Sequence, residues 1–140
     1  MKRVRTYTDG GARGNPGPAG AGAVVLALDA DGKDGKVLAE VSKYLGETTN
    51  NQAEYTAIVL ALQKARELGA EEVEMVMDSE LAVRQLNGIY RVKNAELAKR
   101  FLEIVELKRH FKHVTFRHVR REFNKHADAL VNQAIDRAIL

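Results

Sequence analysis

The order of apolar segments constrains this chain most. Residues 4–8 read as a short strand, and residues 20–28 and 37–45 read as two more, joined by the turn residues Asp29-Ala30-Asp31-Gly32-Lys33-Asp34-Gly35. Over residues 51–68 the period changes: Ala53, Ala57, Leu60, Ala61, Ala65 and Leu68 recur at helical spacing, and Gly69 supplies the stop. A strand at 73–77, a short helix at 79–86, a longer basic helix at 95–111 and a strand at 113–119 follow. A helix at 124–139, with Asn124 as its cap, completes the chain. Three strands followed by alternating helices and strands specify an α/β fold, a mixed sheet with helices on both faces. In such sheets ligands gather at strand ends near a topological switch, so parallel pairing of the first and fourth strands would put a site where Asp9 and Asp78 stand.

At 140 residues the chain is expected to form one domain, residues 1–140. It contains no cysteine, which removes disulfides and thiolate metal sites and fits a reducing, cytoplasmic setting. No apolar run approaches the ~18 residues of a membrane helix, so a soluble protein is expected. The net charge of +3 is unevenly spread. Residues 99–125 hold nine Lys or Arg against three Glu, whereas the first 98 residues net to −2. A basic segment beside an acidic cluster suits a polyanionic partner, although a solvated helix face has the same composition.

Four acidic residues stand at the edges of these segments: Asp9 in Tyr7-Thr8-Asp9-Gly10-Gly11, Glu54 in Thr49-Asn50-Asn51-Gln52-Ala53-Glu54, Asp78 in Met77-Asp78-Ser79, and Asp128 in Asn124-Lys125-His126-Ala127-Asp128. Gathered by a fold, they would form a cage of hard oxygen ligands of the kind Mg²⁺ or Mn²⁺ prefers. Each also has a local reading. Asp9 can open an Asp-Gly turn, Asn51 and Glu54 can form a capping box, Asp78-Ser79 can cap a helix, and Asp128 can face a helix dipole. Four independent caps would have no reason to recur in this order with Gly-rich and amide-rich flanks. The Gly10–Pro18 stretch lacks the Gly-Lys-Ser/Thr ending of a phosphate-binding loop, and His110, His113, His118 and His126 lack metal-ligand spacing.

With these motifs, in this order, the chain resembles type 1 ribonuclease H in its compact form, without the basic protrusion of many relatives. The resemblance covers nearly all of the chain. It implies a ribonuclease H-like fold: a five-stranded mixed sheet flanked by helices on both faces. It implies an endoribonuclease that hydrolyses the RNA strand of RNA/DNA hybrids and leaves 5′-phosphate and 3′-hydroxyl ends. The cofactor would be Mg²⁺, two ions per site, with Mn²⁺ as substitute. Asp9 would bridge both ions, Asp128 would hold the one beside the attacking water, and Glu54 with Asp78 the one beside the leaving 3′ oxygen.

The same resemblance assigns nucleotide contacts to Asn15, Asn50 and Gln52, with Asn51 in the same amide cluster. It gives ribose hydroxyls to the backbone at Gly11 and Ala12, and a DNA phosphate to Thr49 with Asn94. The partner would be the hybrid duplex, bound by a monomer without a protein partner. Departures from the family pattern are the short segment 87–94, the absence of Trp, Glu47 where relatives often carry Arg, and Glu80 where some carry Gln. The loop before Asp128 is also short, leaving Glu122 or His126 as auxiliary candidates for a missing loop histidine. Arg117, Arg120 and Arg121 are expected to help replace the lost basic grip. Without metal the carboxylates should repel, raising at least one pKa. Two other readings remain open here: a nuclease of related carboxylate architecture acting on another polynucleotide, and a binding module with a dead site.

Overall fold

The computed structural model describes residues 2–140. Its strands are β1 (Arg3–Ala12), β2 (Gly17–Leu28), β3 (Asp34–Thr48), β4 (Glu72–Met77) and β5 (His113–His118). Its helices are α1 (Asn50–Glu67), α2 (Glu80–Leu86), α3 (Ala95–Lys108) and α4 (Lys125–Ile139), with a 3₁₀ turn at Arg121–Phe123 before α4. The five strands form one sheet in the order β3-β2-β1-β4-β5. β1 pairs antiparallel with β2, and β2 with β3, whereas β1 with β4 and β4 with β5 are parallel. This is the expected five-stranded mixed sheet, and β1 and β4 are the parallel neighbours that the site argument requires.

Alternation along β1 shows which helix covers which face. A Cβ on Gly10 would collide with the backbone of Ala53 in α1, while one on Gly11 would touch Val131 of α4. Successive strand residues point to opposite faces, so α1 and α4 lie on opposite sides of the sheet. The main core lies on the α1 side, where Val4, Val25, Tyr55, Ile58, Leu62, Met75 and Ile104 are fully buried.

Several boundaries differ from the sequence reading. β1 continues through Gly10, Gly11 and Ala12, which pair with Ala21, Gly20 and Ala19, so the turn-rich loop begins only at Arg13. Glycine there has turn-like composition, but small residues on both strands let helices approach the sheet closely. β3 is also longer than expected, because the tight turn closed by the Asp29 carboxylate, which accepts from the Asp31 and Lys33 N–H groups (2.9 Å each), frees the hairpin to pair early. The N-cap of α1 is Thr49, not Asn51: its hydroxyl accepts from the Gln52 N–H at 3.2 Å, so the Asn51–Glu54 capping box does not form. At the other end Gly69 adopts φ +77°, and the Gly69 and Ala70 N–H groups bond the Arg66 and Ala65 carbonyls, the termination that the sequence predicts. α3 ends at Lys108, earlier than residue 111.

Candidate active site

β1 and β4 run side by side with Thr8 opposite Met77, so the next residues, Asp9 and Asp78, emerge together. Glu54 reaches them because α1 presses its backbone against Gly10, where any side chain would overlap the Ala53 carbonyl. Asp128 sits in the first turn of α4, which is seated by two further glycines. A Cβ on Gly22 would stand 2.5 Å from the Ala127 carbonyl oxygen, and one on Gly20 2.8 Å from that of Val131. A buried tether then fixes the start of α4. Asn124 Nδ2 donates to the Thr8 carbonyl at 2.8 Å, and the Asn124 carbonyl accepts the Asp128 N–H at 3.1 Å. Asn124 therefore takes the cap position, but its side chain makes no capping bond; it ties Asp128 to the strand that carries Asp9.

The result is convergence. Ligand oxygens of Asp9, Glu54 and Asp78 all lie within 4.8 Å of one another. Asp128 is not within that triad, but it is close enough to Asp9 for its carboxylate to help hold the Asp9 proton. Burial, reinforced by the charges of Asp78, Asp128 and Glu54, pushes the Asp9 carboxyl up to about 8. Burial likewise raises Glu54 to about 7; a hydrogen bond from Ser79 and the charge of Arg121 oppose the shift, and Asp78 adds to it. Ser79 serves two partners, since its hydroxyl also accepts the Ala82 N–H and so starts α2. Arg121, on the turn preceding α4, is a cation whose charge acts on Glu54.

The amide-rich residues assemble next to the carboxylates, largely by bonding one another. The Ala12 N–H donates to Asn50 Oδ1 at 2.8 Å, and the Asn50 N–H to Asn15 Oδ1 at 3.1 Å. The Ala12 N–H is thus already engaged, and Gly11 is paired within the sheet. Asn15, Thr49, Asn51, Gln52, Asn94 and Arg100 line a hollow of about 530 Å³. Asn94 is also the N-cap of α3, its Oδ1 accepting from the Leu97 N–H at 3.0 Å. The auxiliary candidates are engaged elsewhere: His126 pairs with Glu40 of β3, and Glu122 with Arg120 at 3.0 Å. Residues that the sequence reading did not assign to the site are Gly20, Gly22 and Arg121 as a neighbour of Glu54. The Gly-x-Gly spacing of 20 and 22, which puts both on one strand face, was the available signal.

Comparison with known proteins identifies relatives of this chain and of its fold. A family model described as "Reverse transcriptase-like" matches residues 7–134. The bifunctional protein Rv2228c of Mycobacterium tuberculosis is 43% identical over 136 residues, which are 97% of this chain but 36% of that protein, so this chain spans about a third of that relative's length. Ribonuclease H of Chlorobium phaeobacteroides is 34% identical, with 96% of this chain and 97% of that protein covered. Among solved structures, LC11-RNase H1 from a compost metagenome, in complex with an RNA/DNA hybrid, superposes with a TM-score of 0.89 at 47% identity, covering 98% of this chain and 99% of that one. The chain belongs to the type 1 ribonuclease H family, in its compact form.

Proposed function

We propose that this chain is a metal-dependent endoribonuclease that cuts the RNA strand of RNA/DNA hybrids, leaving 5′-phosphate and 3′-hydroxyl ends, as a single domain acting as a monomer. The observation that carries the reading is the meeting of Asp9, Glu54 and Asp78 within 4.8 Å, with Asp128 against Asp9. Four carboxylates in so small a space are a poor resting state for a protein without cations. As a donor set, they fit Mg²⁺, or Mn²⁺ in its place: hard oxygens, with no thiolate in the chain. Asp9, central to the cluster, would bridge two ions; Asp128 would complete one site, and Glu54 with Asp78 the other. Bound there, such a pair of ions lowers the pKa of an attacking water and neutralises charge on the leaving oxygen.

The chain's own residues supply position. The glycine contacts under α1 and α4 hold the carboxylates to a fixed geometry, and the Asn124 tether fixes the distance between Asp128 and β1. Asn15, Asn50, Asn51 and Gln52 present amide groups beside the cluster, where the minor groove of a hybrid displays 2′-hydroxyls. Backbone groups at Gly11 and Ala12 would face the same ribose hydroxyls, the Ala12 N–H exchanging its bond to Asn50. Thr49 and Asn94, which line the same 530 Å³ hollow, would take a phosphate of the DNA strand. Glu122 and His126 would act only after leaving Arg120 and Glu40. A related complex holding an RNA/DNA hybrid supports this choice of substrate.

The test is a panel of end-labelled RNA/DNA, RNA/RNA and DNA/DNA duplexes incubated with Mg²⁺ or Mn²⁺. Cutting of the RNA strand only when it is paired to DNA is the expected result. Equal cutting of DNA duplexes would remove the proposal.

A further inference from the structure

α4 packs over β2, β3 and β1, and beside its first turn the same face of the sheet carries a hollow of about 710 Å³. Tyr7, Leu26, Arg117, Arg120, Phe123 and Asn124 are among its lining residues. Tyr7 and Asp9 are two residues apart on β1 and so share a face, which places this hollow next to the carboxylate cluster with the Asn124 turn between them.

Three features of the lining point to one kind of ligand. The first is an aromatic platform: Phe123 is 61% exposed on a three-residue turn, and the Arg120 guanidinium lies 5.7 Å from its ring centroid. With Tyr7 and Leu26 it offers apolar surface to a planar ring. The second is positive charge with donors to spare. Asp34 is the carboxylate in the lining, and both its oxygens are taken, one by Arg5 at 2.6 Å and one by the Tyr7 hydroxyl at 2.8 Å. Arg117 binds Glu74 through Nε at 2.7 Å, which leaves its two terminal nitrogens directed elsewhere. The Arg120–Glu122 pair is exposed on both sides and opens at little cost in water. The third is an unanswered acceptor. Asn124 is 1% exposed, and because the Thr8 carbonyl can only accept, Nδ2 must face it; Oδ1 is left buried with no hydrogen-bond partner.

We propose that this hollow binds a nucleotide unit, with its base against Phe123 and Tyr7, its phosphate on Arg117 and Arg120, and a base N–H bonding Asn124 Oδ1 once a local shift opens that closed-off atom to the hollow. A free nucleoside monophosphate and the phosphorylated end of a single strand share this chemistry. The site goes beyond hybrid cleavage and requires no metal, so it stands or fails independently of that activity.

The test is an NMR titration of the whole chain in EDTA, where phosphate has no metal to bind at the carboxylates. The probes are uridine 5′-monophosphate, a 5′-phosphorylated single-stranded trinucleotide and inorganic phosphate. Saturable shifts at Tyr7, Leu26, Phe123 and the Asn124 side-chain amide are expected. Phe123→Ala should weaken binding about tenfold, the size of one lost base–aromatic contact, and Arg120→Ala should weaken it and reduce its salt dependence. Equal affinity for the monophosphate and the trinucleotide assigns the site to free nucleotides; tighter binding of the trinucleotide assigns it to strand ends. No shifts at millimolar ligand, shifts confined to the hollow at Thr49 and Asn94, equal binding of inorganic phosphate, or unchanged affinity in a folded Phe123→Ala protein would each overturn the proposal.

Discussion

Asp9 and Glu54 hold their protons well above the ordinary carboxylate range because they are buried among like charges. The consequence for stability has a definite sign. In the unfolded chain Asp9 ionises near 3.8, whereas in the folded one it does so near 8, so between those values the native state retains a proton the unfolded state has released. Its contribution is therefore fully present below the unfolded value and is lost as pH rises toward the folded one. Glu54 adds the same trend between 4.5 and about 7. For metal-free protein, the stability gain from Asp9→Asn should grow across this window, to several kcal/mol near pH 8, and excess Mg²⁺ should abolish it. Denaturant melts at several pH values measure this; a gain independent of pH would contradict the clustering. At this scale the sequence is informative, because four short carboxylate motifs stand in an order, with Gly-rich and amide-rich flanks, that independent caps do not explain. What it did not reveal were bonds made across the fold: the Asn124 amide on Thr8, separated by 116 positions, and the Arg121 charge on Glu54.

Glycine sets how the elements meet. Gly10 lies in a strand, and its missing side chain is what lets α1 bring Glu54 to the strand end. Gly10→Ala should therefore act twice: overpacking should destabilise the fold by about 2–3 kcal/mol, and displacement of Glu54 should lower catalytic turnover even under conditions where the variant is folded. Thermal melts and single-turnover cleavage separate the two effects; a stable variant of normal rate would show that α1 has slack against the sheet. The helices are legible from periodicity and the five strands from their apolar runs, whereas the order of the strands in the sheet is not. Nor are the strand ends, since Gly10-Gly11-Ala12 has turn-like composition and only pairing with Ala19-Gly20-Ala21 makes it a strand. The start of α1 is not fixed by composition for a similar reason: several residues between 48 and 52 are competent caps, and the fold uses Thr49.

Across the whole molecule, the basic stretch 99–125 is not one surface. Arg109 and Lys112 stand at the start of β5, whereas the carboxylates lie beyond the ends of β1 and β4, which run parallel to it. A strand of this length spans roughly 20 Å, about two Debye lengths at physiological salt. Many of these cations are also paired, Lys99 with Glu96, Arg100 with Glu103, Arg109 with Glu106 and Arg117 with Glu74 among them. Arg121→Ala should accordingly lower the slope of log affinity against log salt for hybrid by about 1, while Lys112→Ala should leave it unchanged. Equal effects would restore the single-patch reading. Local composition shows that the charge exists; only the three-dimensional path shows which end of the sheet it reaches.

The most direct measurement is the rate of hybrid cleavage in saturating Mg²⁺ by wild type and by Asp9→Asn, Glu54→Gln, Asp78→Asn and Asp128→Asn, each checked for folding. If the four carboxylates act together on the metals, each change should slow the RNA-strand cut by about 10³-fold or more, since the loss of a few kcal/mol of transition-state stabilisation is at stake. Folded variants that cleave the hybrid at rates near that of the wild type would contradict the account.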